Sequence, residues 1–132
     1  MSILGRQVPL KAIAAMALLM VVAALVPALS SPPSREITLV ARDMAFYLKD
    51  DPRTQNPTLE VKAGERVRVV LENRDRGLTH DFAVPSFEAG LIPIGWSESA
   101  DVIIDVPETP GTYEYVCRPH RLMMRGVLRV LP

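Results

Sequence analysis

Residues 110–124 have the sequence PGTYEYVCRPHRLMM, in which a turn, a strand and a loop follow one another. The opening Pro-Gly pair predicts the turn, because proline fixes its own φ angle in the range that turns use and glycine can adopt positive φ. In the strand that follows, Tyr113, Tyr115 and Cys117 alternate with other residues and therefore share one face. The loop after the cysteine holds the side chains with the most distinctive chemistry.

Further short strands are predicted on both sides of this segment. Apolar residues alternate or cluster at 37–41, 59–61, 67–71, 82–84, 102–106 and 127–131. Ten prolines fall between residues 32 and 132, mostly where turns are already indicated. Seven or so short strands separated in this way predict an all-β antiparallel sandwich or barrel. Residues 50–58 and 85–99 are predicted loops, and after residue 30 no helix longer than one or two turns is expected.

Few side chains of the chain can carry reactive chemistry. It has one cysteine, Cys117, and two histidines, His80 and His120, and the loop continues to Met123 and Met124. A thiolate and two imidazoles with a weak axial thioether are the ligands of a trigonal copper site. Each residue alone has an ordinary role as a surface or core side chain. Because the only cysteine and both histidines fall into one pattern, we predict a mononuclear copper site.

Strand parity distinguishes the two methionines. If Met124 faces the metal, Leu128 shares its face and the arginines of the last strand point outward. If Met123 faced the metal, Arg125 and Arg129 would enter the core, where unpaired charge is costly. We therefore predict Met124 as the axial ligand. Met123 remains an alternative, because a loop residue need not follow strand parity.

The motifs resemble those of the cupredoxins, the small blue copper proteins that include plastocyanin, amicyanin, pseudoazurin and azurin. The similar segments are VKAGERV (61–67), THDF (79–82), PGTYEYVC (110–117), CRPH (117–120) and MRG (124–126). The resemblance implies a Greek-key β-sandwich of seven to eight strands. It also implies one type 1 copper ion, with His80, Cys117 and His120 as equatorial ligands and Met124 as the axial ligand.

The resemblance further implies an electron carrier rather than an enzyme, working between a donor and an acceptor redox protein. His120 would lie near the surface and provide the exit for the electron, with weak, transient docking around it. Arg118 and Arg121 flank this histidine and would attract an acidic patch on a partner. A binuclear copper centre is excluded because it needs two cysteines in this loop. Copper nitrite reductases and laccases are excluded because they need further histidines, and this chain has only two.

One position departs from the pattern of many relatives, which carry asparagine after the first histidine. Here the residue is Asp81. It either forms an ion pair with Arg118, which would brace the cysteine loop, or faces solvent.

The first thirty residues are predicted to be a signal peptide or a membrane anchor. Two basic residues precede an uncharged run at 12–29, which is the order of a secretory signal. Eighteen apolar residues are also close to the minimum for spanning a bilayer. Residues 31–35 are a predicted linker and 36–132 the copper-binding domain. Both alternatives place that domain in the periplasm or elsewhere outside the cytoplasm, with membrane contact only through an uncleaved N-terminal segment.

Length and charge exclude other classes. After residue 30 there are thirteen basic and fifteen acidic residues, a net charge of −2, which does not favour nucleic-acid binding. About 100 residues can build one modest core, too small for a multidomain oxidase.

Three other functions are compatible with parts of the pattern. A copper chaperone or copper-resistance protein would bind the metal without redox work. A cysteine-nucleophile enzyme would use Cys117 but leave Met124 without a role. A zinc site could use one cysteine and two histidines, although a thioether is a poor zinc ligand.

Overall fold

The computed structural model describes residues 32–132, which form nine β-strands and two three-residue 3₁₀ turns, at Pro85–Phe87 and Arg118–His120. The strands are β1 (Arg35–Arg42), β2 (Ala45–Leu48), β3 (Leu59–Lys62), β4 (Arg66–Asn73), β5 (Ala83–Val84), β6 (Ala89–Gly90), β7 (Ser99–Asp105), β8 (Gly111–Val116) and β9 (Arg125–Leu131).

The strands form two sheets that enclose one core. The first sheet has the order β2-β1-β4-β7, and the second has the order β3-β9-β8-β5-β6. Buried residues of both sheets belong to the same apolar cluster, which includes Leu39, Val69, Tyr115 and Leu128. The all-β sandwich predicted from the sequence is therefore confirmed for the described residues.

Two details of the fold differ from the expectation. The structure has nine strands rather than seven to eight. The sequence did not predict β2, nor the two-residue strand β6, which lies in the predicted loop at 85–99 and pairs with β5. The sandwich is also not wholly antiparallel: β1 runs parallel to β4, and β3 runs parallel to β9. Alternation of apolar residues reports which face is buried but carries no information on strand direction.

Alternating burial in the long strands explains why the sequence folds in this way. In β4, Val67, Val69 and Leu71 are buried, and the residues between them are only half-buried. In β9, Leu128 and Val130 are buried, whereas the arginines of the strand are exposed. The parity predicted for β9 is confirmed.

The predicted loop at 50–58 contains no strand. Among residues 32–132, no helix has both the length and the apolar character needed to span a bilayer. The predicted signal or anchor at 1–30 lies outside the described residues.

Candidate metal centre

The predicted site residues come from two loop segments next to the second sheet. His80 precedes β5 and forms a two-hydrogen-bond bridge with Ile94, with N···O distances of 3.0 and 2.8 Å. Cys117 directly follows β8, and His120 ends the second 3₁₀ turn. The cysteine loop closes on itself, because Cys117 N–H donates to the Met124 carbonyl at 2.8 Å.

The three potential equatorial ligands lie together in the structure. Cys117 Sγ is 3.7 Å from His80 Nδ1 and 3.6 Å from His120 Nδ1. The ligand atoms of these three residues all lie within 4.8 Å of one another. Both imidazoles therefore present the same ring nitrogen, Nδ1, toward the sulfur. His80 and Cys117 are fully buried, and His120 is half-buried.

The two methionines of the loop have opposite environments. Met124 is fully buried within the core cluster, whereas the side chain of Met123 is 59% exposed. The backbone also holds them differently: the Met123 carbonyl accepts a hydrogen bond from Asn56 Nδ2 at 3.0 Å, and the Met124 carbonyl accepts from Cys117 N–H. This burial supports Met124 as the candidate axial ligand.

Asp81 braces the cysteine loop through Arg118. Its carboxylate accepts hydrogen bonds from the backbone N–H and from Nε of Arg118, both at 2.7 Å. The Arg118 guanidinium also donates to the Leu91 carbonyl. Asp81 is buried, so the ion pair, rather than the solvent-facing alternative, is present in the structure.

The backbone N–H of Asp81 points at the cysteine sulfur, with an N···Sγ distance of 3.5 Å. Burial raises the pKa of the Cys117 thiol, and this hydrogen bond opposes that effect by favouring the thiolate. Since a bound cation deprotonates a coordinating thiol, this buried cysteine is better suited to hold a metal than to act as a free nucleophile.

Two polar residues beside His80 were not identified from the sequence. Asp75 Oδ2 lies 2.9 Å from His80 Nε2, on the opposite side of the ring from Nδ1. Asn73 is buried, donates from Nδ2 to the Leu78 and Ile94 carbonyls, and accepts from Asp75 N–H at 2.9 Å. Neither residue belongs to a motif with a fixed spacing, so the sequence offered no signal for them.

The protonation of His80 suits metal binding. Burial lowers its pKa, and the Asp75 carboxylate opposes this shift. Desolvation thus favours the neutral imidazole, which is the form that binds metals.

The donor set fits a single type 1 copper ion. One thiolate sulfur and two imidazole nitrogens converge, and a buried thioether residue closes the same loop. Soft sulfur donors favour Cu(I), and imidazole binds copper in both oxidation states. An all-β sandwich carrying these ligands defines the class of small type 1 copper proteins.

Comparison with known proteins agrees with this class. The cupredoxin-like domain model matches residues 12–130, and the chain belongs to this family. No curated protein sequence matches the chain.

Solved structures of blue copper proteins have a similar fold. Auracyanin B is 22% identical, with a TM-score of 0.63 over 78% of this chain and 93% of that protein. Rusticyanin from Thiobacillus ferrooxidans is 21% identical, with a TM-score of 0.59 over 76% of this chain and 79% of that one. Auracyanin A from Chloroflexus aurantiacus, described as a "blue" copper protein, is 18% identical, with a TM-score of 0.55 over 73% of this chain and 98% of that protein. At these identities the likeness supports the fold.

Proposed function

We propose that this protein is an extracytoplasmic electron carrier that holds one copper ion through His80, Cys117, His120 and Met124. The observation that carries the proposal is the convergence of Cys117 Sγ and the two histidine Nδ1 atoms within 4.8 Å. Copper bound there supplies a one-electron Cu(II)/Cu(I) couple. The role of the chain is to bind the ion in a fixed, water-poor pocket and to connect it with redox partners.

Two features of the pocket favour electron transfer over storage or delivery of the metal. Cys117 is fully buried, and Asp81 ties its loop to the segment that carries His80. A rigid site changes little when its charge changes by one electron, which keeps the reorganisation small. A protein that hands its metal to another would need a loop that opens more readily.

Docking takes place around His120, the half-buried ligand. Its neighbours Leu122 and Met123 are exposed, Leu122 by 92%, and give this surface an apolar part. Arg118 and Arg121 add positive charge, although both are already paired, with Asp81 and Glu114 respectively. Weak encounters of this kind permit rapid turnover.

The membrane relation rests on the N-terminal sequence. Residues 1–30 direct the chain across the membrane as a signal peptide, or hold it there through the uncharged run at 12–29. The copper-binding domain, residues 36–132, then works outside the cytoplasm.

The decisive experiment is optical spectroscopy and voltammetry of residues 31–132 and of the full chain after loading with Cu(II). We expect an intense thiolate-to-Cu(II) charge-transfer band, bleached by reductant, and a reversible one-electron wave. Cys117→Ser should remove the band, because a hydroxyl cannot replace the thiolate. Met123→Leu is the matched control in the same loop and should retain it.

Two outcomes would contradict the proposal. A colourless protein that prefers zinc to copper would indicate a zinc site. Copper binding without a reversible couple would favour a copper chaperone or copper-resistance protein.

A further inference from the structure

The carboxylate of Asp75 contacts two different parts of the molecule. Oδ1 accepts the backbone N–H of Asp43 at 2.8 Å. Oδ2 accepts the backbone N–H of Met44 at 3.2 Å and lies 2.9 Å from His80 Nε2. Its side chain is only 12% exposed. One carboxylate thus joins the β1–β2 turn to a candidate copper ligand.

The turn that holds this carboxylate has an unusual backbone. Arg42 pairs with Ala45, so Asp43 and Met44 form a two-residue hairpin loop. Their φ angles are 53° and 59°, a region that non-glycine residues rarely occupy. A two-residue hairpin loop commonly has positive φ at both residues, usually with glycine at one of them. Neither residue is glycine here, so surrounding contacts must hold this conformation. Here both backbone N–H groups of the turn point at Asp75, so the turn and the carboxylate fix each other.

The contact between Asp75 and His80 decides which ring nitrogen carries the hydrogen and which has a lone pair for a metal. A neutral imidazole has one N–H donor and one lone pair. The carboxylate accepts only, so the hydrogen on His80 belongs on Nε2 and the lone pair on Nδ1. Nδ1 is the atom that lies 3.7 Å from Cys117 Sγ. The tautomer required for metal binding is therefore present before the metal arrives.

We propose that Asp75, held by the turn at residues 43–44, is a positioning residue of the metal site that keeps Nδ1 of His80 free and lowers the reduction potential of bound copper. This inference rests on the proposed function for its redox part. A carboxylate separated from the metal by one imidazole ring favours the more positive Cu(II) state over Cu(I). The hydrogen bond from His80 to Asp75 also makes the imidazole more basic, and therefore a stronger ligand for the metal.

The first test needs no copper. Nitrogen-15 NMR of the histidine rings in the metal-free protein, recorded where both histidines are neutral, distinguishes the two tautomers. We expect His80 to be predominantly the Nε2–H form in the wild type and to become a mixture in Asp75→Ala, which removes the acceptor. Asp75→Asn keeps one amide oxygen and should shift the tautomer less. A wild-type His80 in the Nδ1–H form would overturn the proposal without any variant being made.

The second test compares copper affinity in the two oxidation states. Loss of a partner of this kind lowers metal affinity about 10- to 100-fold. We expect Asp75→Asn to lose more affinity for Cu(II) than for Cu(I). A tenfold difference between the two losses raises the potential by about 59 mV. Equal losses, with the potential unchanged, would show that Asp75 is only structural and would overturn the redox part.

Asp43→Asn provides the matched control. It removes a carboxylate from the same turn, but that side chain is 76% exposed and pairs with Arg42. It leaves the Asp75 contacts in place, so tautomer and potential should stay close to the wild type. A shift equal to that of Asp75→Asn would mean that general charge near the turn, rather than the His80 contact, sets the potential.

The two proposals fail in different ways. If the wild type does not form a type 1 copper centre, the proposed function fails, and the tautomer of metal-free His80 still tests the positioning role. If the centre forms but Asp75 variants leave both tautomer and potential unchanged, only the inference about Asp75 fails.

Discussion

The two histidines of the candidate site are held in opposite ways. His80 is fully buried, its backbone pairs with Ile94, and its Nε2 contacts Asp75 at 2.9 Å. His120 lies in a three-residue 3₁₀ turn and is half-buried. Within residues 32–132, its ring has no carboxylate partner, and its ring contacts are with Cys117 and with the His80 ring at a centroid distance of 4.9 Å.

This difference divides the work of the site between its two sides. The His80 side is fixed by the sheets and the β1–β2 turn, so it can set the geometry and the charge felt by the metal. The His120 side is close to solvent, so it can approach a partner. A preorganised inner side and an accessible outer side together meet the two requirements of an electron carrier.

The sharpest test of this comparison is the stability of the metal-free protein. His80→Ala would leave a buried cavity and remove one partner of Asp75. We expect it to lower the free energy of unfolding by about 2–4 kcal/mol. His120→Ala removes a half-buried side chain with fewer contacts and should cost less than about 1 kcal/mol. Urea unfolding of both variants measures the difference.

Equal losses in the two variants would contradict the division. A larger loss for His120→Ala would mean that the cysteine loop, rather than the His80 side, carries the rigidity of the site.

The second test concerns the link between the two sides, which is Asp81. Asp81→Ala removes both 2.7 Å hydrogen bonds that Arg118 donates to the carboxylate. The backbone N–H of Arg118 then loses this acceptor. We expect a loss of about 1–3 kcal/mol in the metal-free protein. Asp81→Asn keeps an acceptor oxygen for the backbone N–H and should lose about half as much. The exchange of the loop amides with deuterium should accelerate in the order wild type, asparagine, alanine.

Similar exchange rates in all three proteins would show that the loop is held by other contacts. The hydrogen bond from Cys117 N–H to the Met124 carbonyl would then be the principal one.

How far the sequence predicted the molecule can be explained from these same residues. The candidate ligands could be predicted because cysteine and histidine are rare in this chain and carry recognisable spacing. The prediction of Met124 rests on strand parity, and β9 does alternate buried and exposed residues up to the loop. The ion pair of Asp81 was one of two alternatives, because sequence alone does not report burial.

Asp75 could not be found in this way. Its role depends on the two-residue turn at 43–44, which lies more than thirty residues earlier in the chain. That turn contains no glycine or asparagine, the residues from which positive φ angles are usually predicted. The parallel pairs β1–β4 and β3–β9 were missed for a related reason, because pairing over long sequence distance leaves no local periodicity.

The third test compares Met124 with Met123, the buried and exposed thioethers of the same loop. Met124→Leu preserves volume, so the stability loss should stay below about 1.5 kcal/mol. We expect the charge-transfer colour to remain and the reduction potential to rise, because Cu(II) loses a weak electron donor. Met123→Leu should leave both nearly unchanged, and voltammetry of the two variants measures the contrast. The reverse ranking would show that the loop presents Met123 to the metal.

The smallest effect is expected at the charged rim of the His120 side. Arg121 is exposed and pairs with Glu114 at 3.2 Å, a surface pair that contributes little to stability. Because that pair contributes little, reversing the charge of Arg121 should leave the spectrum, the potential and the fold unchanged. It should slow only the encounter with an acidic redox partner. We expect Arg121→Glu to reduce the second-order rate of electron transfer several-fold at low ionic strength, with the difference shrinking as salt screens the charges. Arg129→Glu is the matched control, since Arg129 also forms an exposed pair, with Glu60 at 3.0 Å, but lies further along β9 from the loop. If both variants slow the rate equally, net charge steers the encounter. If neither does, the apolar surface of Leu122 and Met123 makes the contact, and the accessible side of the site is recognised by burial of that surface rather than by charge.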